Sequence, residues 1–137
     1  MPTKADEKPS TPKNSALTLL EQDHREVDAY FEEYEKAQGE AKEAVALKIC
    51  LALQVHAQIE EEIFYPAVRD VIENGELLDE AIVEHAAAKQ LIAEIEAMEV
   101  GDQLRDAKVK VLGEQIRHHV QEEEGELFPQ IATVSST

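Results

Sequence analysis

Tryptophan is absent, cysteine occurs once, and Lys and Arg number 13 against 30 Asp and Glu. Each shortage excludes something. A single cysteine, Cys50, rules out an internal disulfide framework and any CxxC redox pair. The shortage of bases leaves a net charge of −17 with neutral His. That charge disfavours nucleic acid as a partner, because phosphate recognition needs a basic surface. It disfavours anionic membranes as well, and no apolar run approaches the ~18–20 residues of a membrane span. The N-terminal MPTKADEKPSTPKNS has no apolar core of the kind a signal peptide carries. A cytoplasmic protein without nucleic-acid or membrane partners is therefore the expectation. Five Gly and five Pro supply little turn material for a β-rich fold, and aromatics are only 4%.

What is present forms helices. The chain is rich in Ala, Leu, Glu, Lys and Gln, the strong helix formers. Hydrophobic residues make up 43%, just under the usual ~45–50%, so a packed core is feasible. The 137 residues predict one domain at ~150 residues per domain. Pro2, Pro9 and Pro12 mark residues 1–14 as a flexible tail, leaving 15–132 as the domain and 133–137 as a C-terminal tail.

Four helical stripes follow. Ser15 or Asn14 caps a first helix from Ala16, whose face is Leu17, Leu20, His24, Val27, Phe31 and Tyr34 and whose end is Gly39. A second helix from about Glu40 carries Ile49, Leu53, His56, Glu60 and Phe64; Pro66 should kink or end it, with Val68-Arg69-Asp70-Val71-Ile72 able to continue it for another turn or two. Asn74-Gly75 signals a turn. A third helix over about 77–98 carries Leu78, Ile82, His85, Ile92 and Ile95, and Gly101-Asp102 breaks and recaps. The fourth carries Leu112, Ile116, His119, Glu123 and Leu127, with Pro129 as its stop. Four such helices joined by short loops predict an all-α fold, an antiparallel up-down-up-down four-helix bundle with a short disordered N-terminal tail.

Each apolar stripe is interrupted by a polar residue. All four contain a His, and two also contain a Glu. A buried polar group costs several kcal/mol if unpaired, so a violation repeated on every helix points to a site. An internal repeat sharpens this. His56-Ala-Gln-Ile-Glu60-Glu61 through Phe64-Tyr65-Pro66 aligns with His119-Val-Gln-Glu-Glu123-Glu124 through Leu127-Phe128-Pro129, 63 residues on. His24 and His85 lie 61 residues apart, each on the preceding helix. The chain reads as two helical hairpins, each contributing His and then His-x-x-x-Glu.

On a helix, residues four apart are stacked neighbours. His56 with Glu60, and His119 with Glu123, can each present a nitrogen and a carboxylate to a common point. His24 and His85 complete four imidazoles and two carboxylates. Donors of this type without thiolate suit iron, manganese or zinc, and the number suffices for two metal ions with positions left for a small exogenous ligand.

This arrangement, with its EE-to-FYP and EE-to-LFP endings, resembles the hemerythrin-like (HHE cation-binding) family over about residues 16–131. The resemblance implies that His24, His56, Glu60, His85, His119 and Glu123 are metal ligands. It implies two non-haem iron ions with a bridging oxo or hydroxo group and with Glu60 and Glu123 as bridges; manganese or zinc would suit the same donors. It further implies binding of O2, NO or a small anion for sensing, storage or iron handling, or, as the alternative, redox turnover of peroxide or NO. The oxygen carriers of the family have HxxxH on the third helix, whereas here His85 is followed at that spacing by Lys89. The four-His, two-Glu set is closer to the di-iron proteins proposed to repair iron–sulfur clusters, though their Cys-containing N-terminal segment has no counterpart here. A third reading, a metal-free or zinc-bound interaction bundle, explains the charge but not the repeated His and Glu. A ferritin-like centre needs two Glu-x-x-His motifs and only Glu21 to His24 fits; no HExxH is present.

The remaining polar residues have plainer readings. His118 shares the spacing of His119 with Glu122 but lies beside Glu114 and Gln115, and so reads as a surface residue or one behind the ligands. Glu61, Glu62, Glu122 and Glu124 read as a solvated acidic face, one of which can accept a bond from a ligand imidazole. Lys89 reads as reaching to solvent, with a place beside a bound anion or oxygen species as the second reading; Phe31, Phe64, Tyr65 and Phe128 read as core, with Tyr65, Tyr30 or Tyr34 reaching a metal as the minor reading. Cys50 reads as a small buried hydrophobe.

Overall fold

A computed structural model describes residues 12–72, 75–99 and 101–135. Residues 1–11 of the expected tail, Asn74 of the expected turn and the last two residues lie outside the described residues. The described residues are mostly helical, with no strand among them. Its elements are α1 (Pro12–Lys36), α2 (Gly39–Ile59), a π-helical turn π1 (Glu60–Phe64), α3 (Tyr65–Arg69), α4 (Glu76–Ala97), α5 (Gln103–Glu122), a second turn π2 (Glu123–Leu127) and α6 (Phe128–Ser135). Among the described residues these make four helical lengths, because each π turn joins its two α segments without a break.

Helix α1 starts at Pro12 rather than Ala16. Proline is tolerated in a first turn, where its missing N–H has no intrahelical partner to lose. Gly39, at φ +62°, turns the chain into α2, and Gly101, at φ +93°, precedes α5; both are left-handed conformations that cost a side chain least when absent. Asp102 caps α5 by accepting from the Leu104 N–H at 2.9 Å.

Pro129 does not stop the fourth helix, and Pro66 does not end the second. Both follow a π turn, in which the Tyr65 N–H bonds to the Glu60 carbonyl and the Phe128 N–H to the Glu123 carbonyl. The wider turn restarts the α-helix just before each Pro, so the absent N–H falls in a first turn. The turn also re-aims side chains. At 100° per residue Tyr65 would stand about 140° around the helix from Glu60; the i→i+5 bond stacks it above Glu60 instead.

Two apolar clusters flank a polar layer. One holds Val27, Phe31, Ile49, Leu53, Ile92 and Leu112; the other holds Leu20, Phe64, Tyr65, Leu78, Leu127 and Phe128. Helices one and three meet the second cluster first and the first cluster last, and helices two and four do the reverse, as an up-and-down order requires. Full burial of each large side chain stabilises by ~1.5–3 kcal/mol, and Leu78 and Leu112 are fully buried. Ile82 departs from the expected stripe at 43% exposed, its place taken by Ala81 and His85. Cys50 is buried as expected, and burial pushes its thiol up to about 11.

Candidate metal centre

The polar layer between the clusters contains His24, His56, Glu60, His85, His119 and Glu123, all buried. His24 comes from the middle of α1 and His85 from α4. His56 and His119 lie in the last turns of α2 and α5, and Glu60 and Glu123 open the two π turns. All six residues picked from the sequence are thus in one layer.

They divide into two halves. In one, His24 Nε2 lies 3.1 Å from Glu123 Oε1, and His56 Nε2 lies 3.1 Å from Glu60 Oε2. In the other, His85 Nε2 lies 3.0 Å from Glu60 Oε1, and His119 Nε2 lies 3.3 Å from Glu123 Oε2. Each carboxylate therefore offers one oxygen to each half. The paired rings have centroids 4.9 Å apart in both halves. Two donors held ~2.1 Å from one metal at right angles lie about 3.0 Å apart, so these separations are those of a coordination shell. In the first half, His24 Nε2, His56 Nε2, Glu60 Oε2 and Glu123 Oε1 are buried without hydrogen-bond partners. Four convergent orphaned atoms of this kind, each costly to bury alone, fit a cation.

The outward nitrogens are equally organised. His24 Nδ1 donates to Glu124 at 2.6 Å, His56 Nδ1 to Asp23 at 2.5 Å, His85 Nδ1 to Glu61 at 2.7 Å and His119 Nδ1 to Glu84 at 2.6 Å. A carboxylate can only accept, so Nδ1 carries a proton, and a ring that gives up its second proton turns the Nε2 lone pair inward. The pairing follows the duplication. The acid before each hairpin's first His serves that hairpin's second His, and the acid after each Glu serves the first His of the other hairpin. Glu61 and Glu124, expected on a solvated face, are therefore part of the centre; the neighbouring cations Lys89 and Arg25 pair with them at 2.6 and 2.5 Å. Asp23 and Glu84 were missed. Their signal was the acid immediately before His24 and before His85, repeated 61 residues apart. Glu62 is exposed, and His118 stands at the surface, 3.3 Å from Glu122 and 4.0 Å from Glu84.

Electrostatics agree with a site built for positive charge. Burial pushes the His56 imidazolium down, but Glu60 and Asp23 outweigh it and raise it to about 9. Burial likewise works against His119, and Glu123, Glu60 and Glu84 lift it to about 11. Glu60 is penalised by burial, yet the facing His119, His56 and His85 imidazoles hold it well below the usual carboxylate range.

A family model, the Hemerythrin HHE cation binding domain, matches residues 15–131. The chain belongs to the hemerythrin HHE cation binding domain family. A DNA nickase of Nostoc sp. (strain PCC 7120 / SAG 25.82 / UTEX 2576) is 29% identical over 114 residues, which cover 82% of this chain and 32% of that protein. The chain thus spans about a third of the length of the curated relative it matches. No solved structure matches the chain.

In this HHE domain two further features bear on the layer. The Tyr65 hydroxyl, read from the sequence chiefly as core filling, reaches it, donating to Glu123 Oε2 at 2.5 Å and lying 2.9 Å from Glu60 Oε1. An apolar pocket lined by Val27, Leu53, Ala57, Ala88, Ile92 and Val120 opens onto all four imidazoles, and half-exposed Lys89 also lines it. No helix among the described residues is long and apolar enough to cross a membrane.

Proposed function

We propose that this HHE domain binds two non-haem iron ions and takes O2, NO or a small anion there, in sensing, storage or iron handling. The observation that carries the reading is the pair of buried carboxylates, each presenting one oxygen to each of two imidazole pairs. His24 and His56 would hold one ion and His85 and His119 the other, with Glu60 and Glu123 shared. Iron bound in this set supplies a redox-active Lewis acid, and the same donors accept manganese or zinc. The protein's own part is preparation. Asp23, Glu61, Glu84 and Glu124 fix the tautomer and tilt of the four rings. The apolar pocket gives molecules of a few atoms a route to the four rings.

The test is metal content with the optical spectrum, on protein loaded with iron, exposed to air and then given azide. Two irons per chain with near-ultraviolet bands that move on adding azide is the expected result. One zinc, or no metal and a featureless spectrum, would refute it.

Turnover of peroxide or NO by the same centre is the alternative, favoured by Lys89 in place of a further imidazole on α4. Peroxide decomposition no faster than by free iron would remove it. A role on DNA is not part of the proposal, because −17 of net charge opposes phosphate binding by this segment.

A further inference from the structure

Tyr65 is 2% exposed and stands at the polar layer without belonging to the six-residue pattern. Its hydroxyl oxygen lies 2.5 Å from Glu123 Oε2, 2.9 Å from Glu60 Oε1 and 3.4 Å from His85 Nε2. All three atoms belong to the His85–His119 half. A buried hydroxyl is satisfied by one acceptor, yet this one faces two carboxylate oxygens and an imidazole nitrogen. The separations bracket the ~3.0 Å expected between neighbouring donors on one metal. Tyr65 Oη therefore stands among His85 Nε2 and the inner oxygens of Glu60 and Glu123 at donor-to-donor spacing.

The other half offers a contrast built into the duplication. Phe128 is the counterpart of Tyr65, each following its π turn and preceding Pro. Its ring stacks on His24 with centroids 6.2 Å apart and planes 12° from parallel. Phenylalanine has no donor atom. It is in this half, not the Tyr65 half, that the imidazole and carboxylate atoms are left without partners.

We propose that Tyr65 Oη is a fifth protein donor to the metal at the His85–His119 position, which makes the two metal positions chemically unequal. The assignment rests on the dinuclear reading above. On metal binding the oxygen–hydrogen bond breaks, the proton leaves to bulk water, and an oxygen–metal bond forms; no electron is transferred. In the metal-free protein the adjacent carboxylates hold that proton in place. A bound cation reverses the local charge and favours the phenolate.

The experiment uses the full chain loaded with ferric iron. The wild type is expected to show a visible phenolate-to-iron charge-transfer band. Its resonance Raman spectrum is expected to contain tyrosinate ring modes that shift when the protein is grown on ring-deuterated tyrosine. Tyr65→Phe is expected to keep two irons per chain and lose both the band and the modes. Two irons per chain without tyrosinate modes in the wild type would overturn the proposal, whatever the folding of the variant. So would modes that persist in Tyr65→Phe. Fewer than two irons in the wild type would overturn the dinuclear reading, and the Tyr65 assignment with it.

Discussion

Tyr65 and Phe128 hold equivalent places in the two halves of the duplication, and only Tyr65 carries a hydroxyl. Each sits one turn above a glutamate of the polar layer, because each follows a π turn closed by its own backbone N–H. Tyr65 lies against His85, with ring centroids 5.5 Å apart, and Phe128 lies against His24 at 6.2 Å. The six principal side chains thus repeat between the two halves, and the Tyr65 hydroxyl has no counterpart at Phe128.

Glu60 serves both halves, so its loss should affect both. Glu60→Ala is expected to lower bound metal from two ions to one at most, measured by elemental analysis after loading. In the metal-free variant His56 should titrate at lower pH, because Glu60 contributes most to raising it. Retention of two ions would move the bridging role to another carboxylate.

Glu84 touches no metal position, yet it orients His119 from 2.6 Å. Outer partners of this type are worth ~10–100-fold in metal affinity. Glu84→Ala should weaken metal binding within that range in a chelator competition, whereas Glu62→Ala, at an exposed position, should leave it unchanged. Equal affinities for the two variants would show that the outer carboxylate has no such role.

The raised imidazoles set the pH behaviour of the metal-free protein. His56 at about 9 and His119 at about 11 both lie above their ordinary 6.5. Their contribution to stability is complete below pH 6.5 and is lost as pH rises through about 9 and then about 11. Glu60 is shifted down, so its contribution holds above pH 4.5 and falls away in acid. Urea midpoints should therefore be higher at pH 6 than at pH 9, and the gap should shrink once metal replaces the protons.

Metal uptake should release those protons. Near pH 7.5 the two raised imidazoles are protonated, so loading should displace about two imidazole protons per chain, with a third from the Tyr65 hydroxyl. Calorimetry in buffers of different ionisation enthalpy measures the number. Release near zero would mean that metal binds elsewhere.

Gly113 faces the Phe31 ring, and a Cβ placed there would lie 3.2 Å from its nearest carbon. Gly113→Val should overpack this contact and destabilise by ~1–3 kcal/mol in urea unfolding, without lowering metal content at saturation.

The four helices and the six principal residues could be read from the sequence because both depend on local geometry. Apolar residues at spacings of three and four define a face, and His56 with Glu60, or His119 with Glu123, are four apart on one helix. The duplication joined the two halves before any coordinates were needed. Pro129 misled by the same local logic, since a proline breaks a regular α-helix and the π turn that absorbs it leaves no residue-type signature. Asp23 and Glu84 were passed over, and Glu61 and Glu124 could not be told from Glu62 and Glu122, because each grips an imidazole on another helix, and such pairings depend on where helices cross. The oxygen of Tyr65 is the sharpest case. Composition and spacing place it among core aromatics, and only the widened turn, together with a fourth helix bringing Glu123 to 2.5 Å, sets that hydroxyl at the cluster.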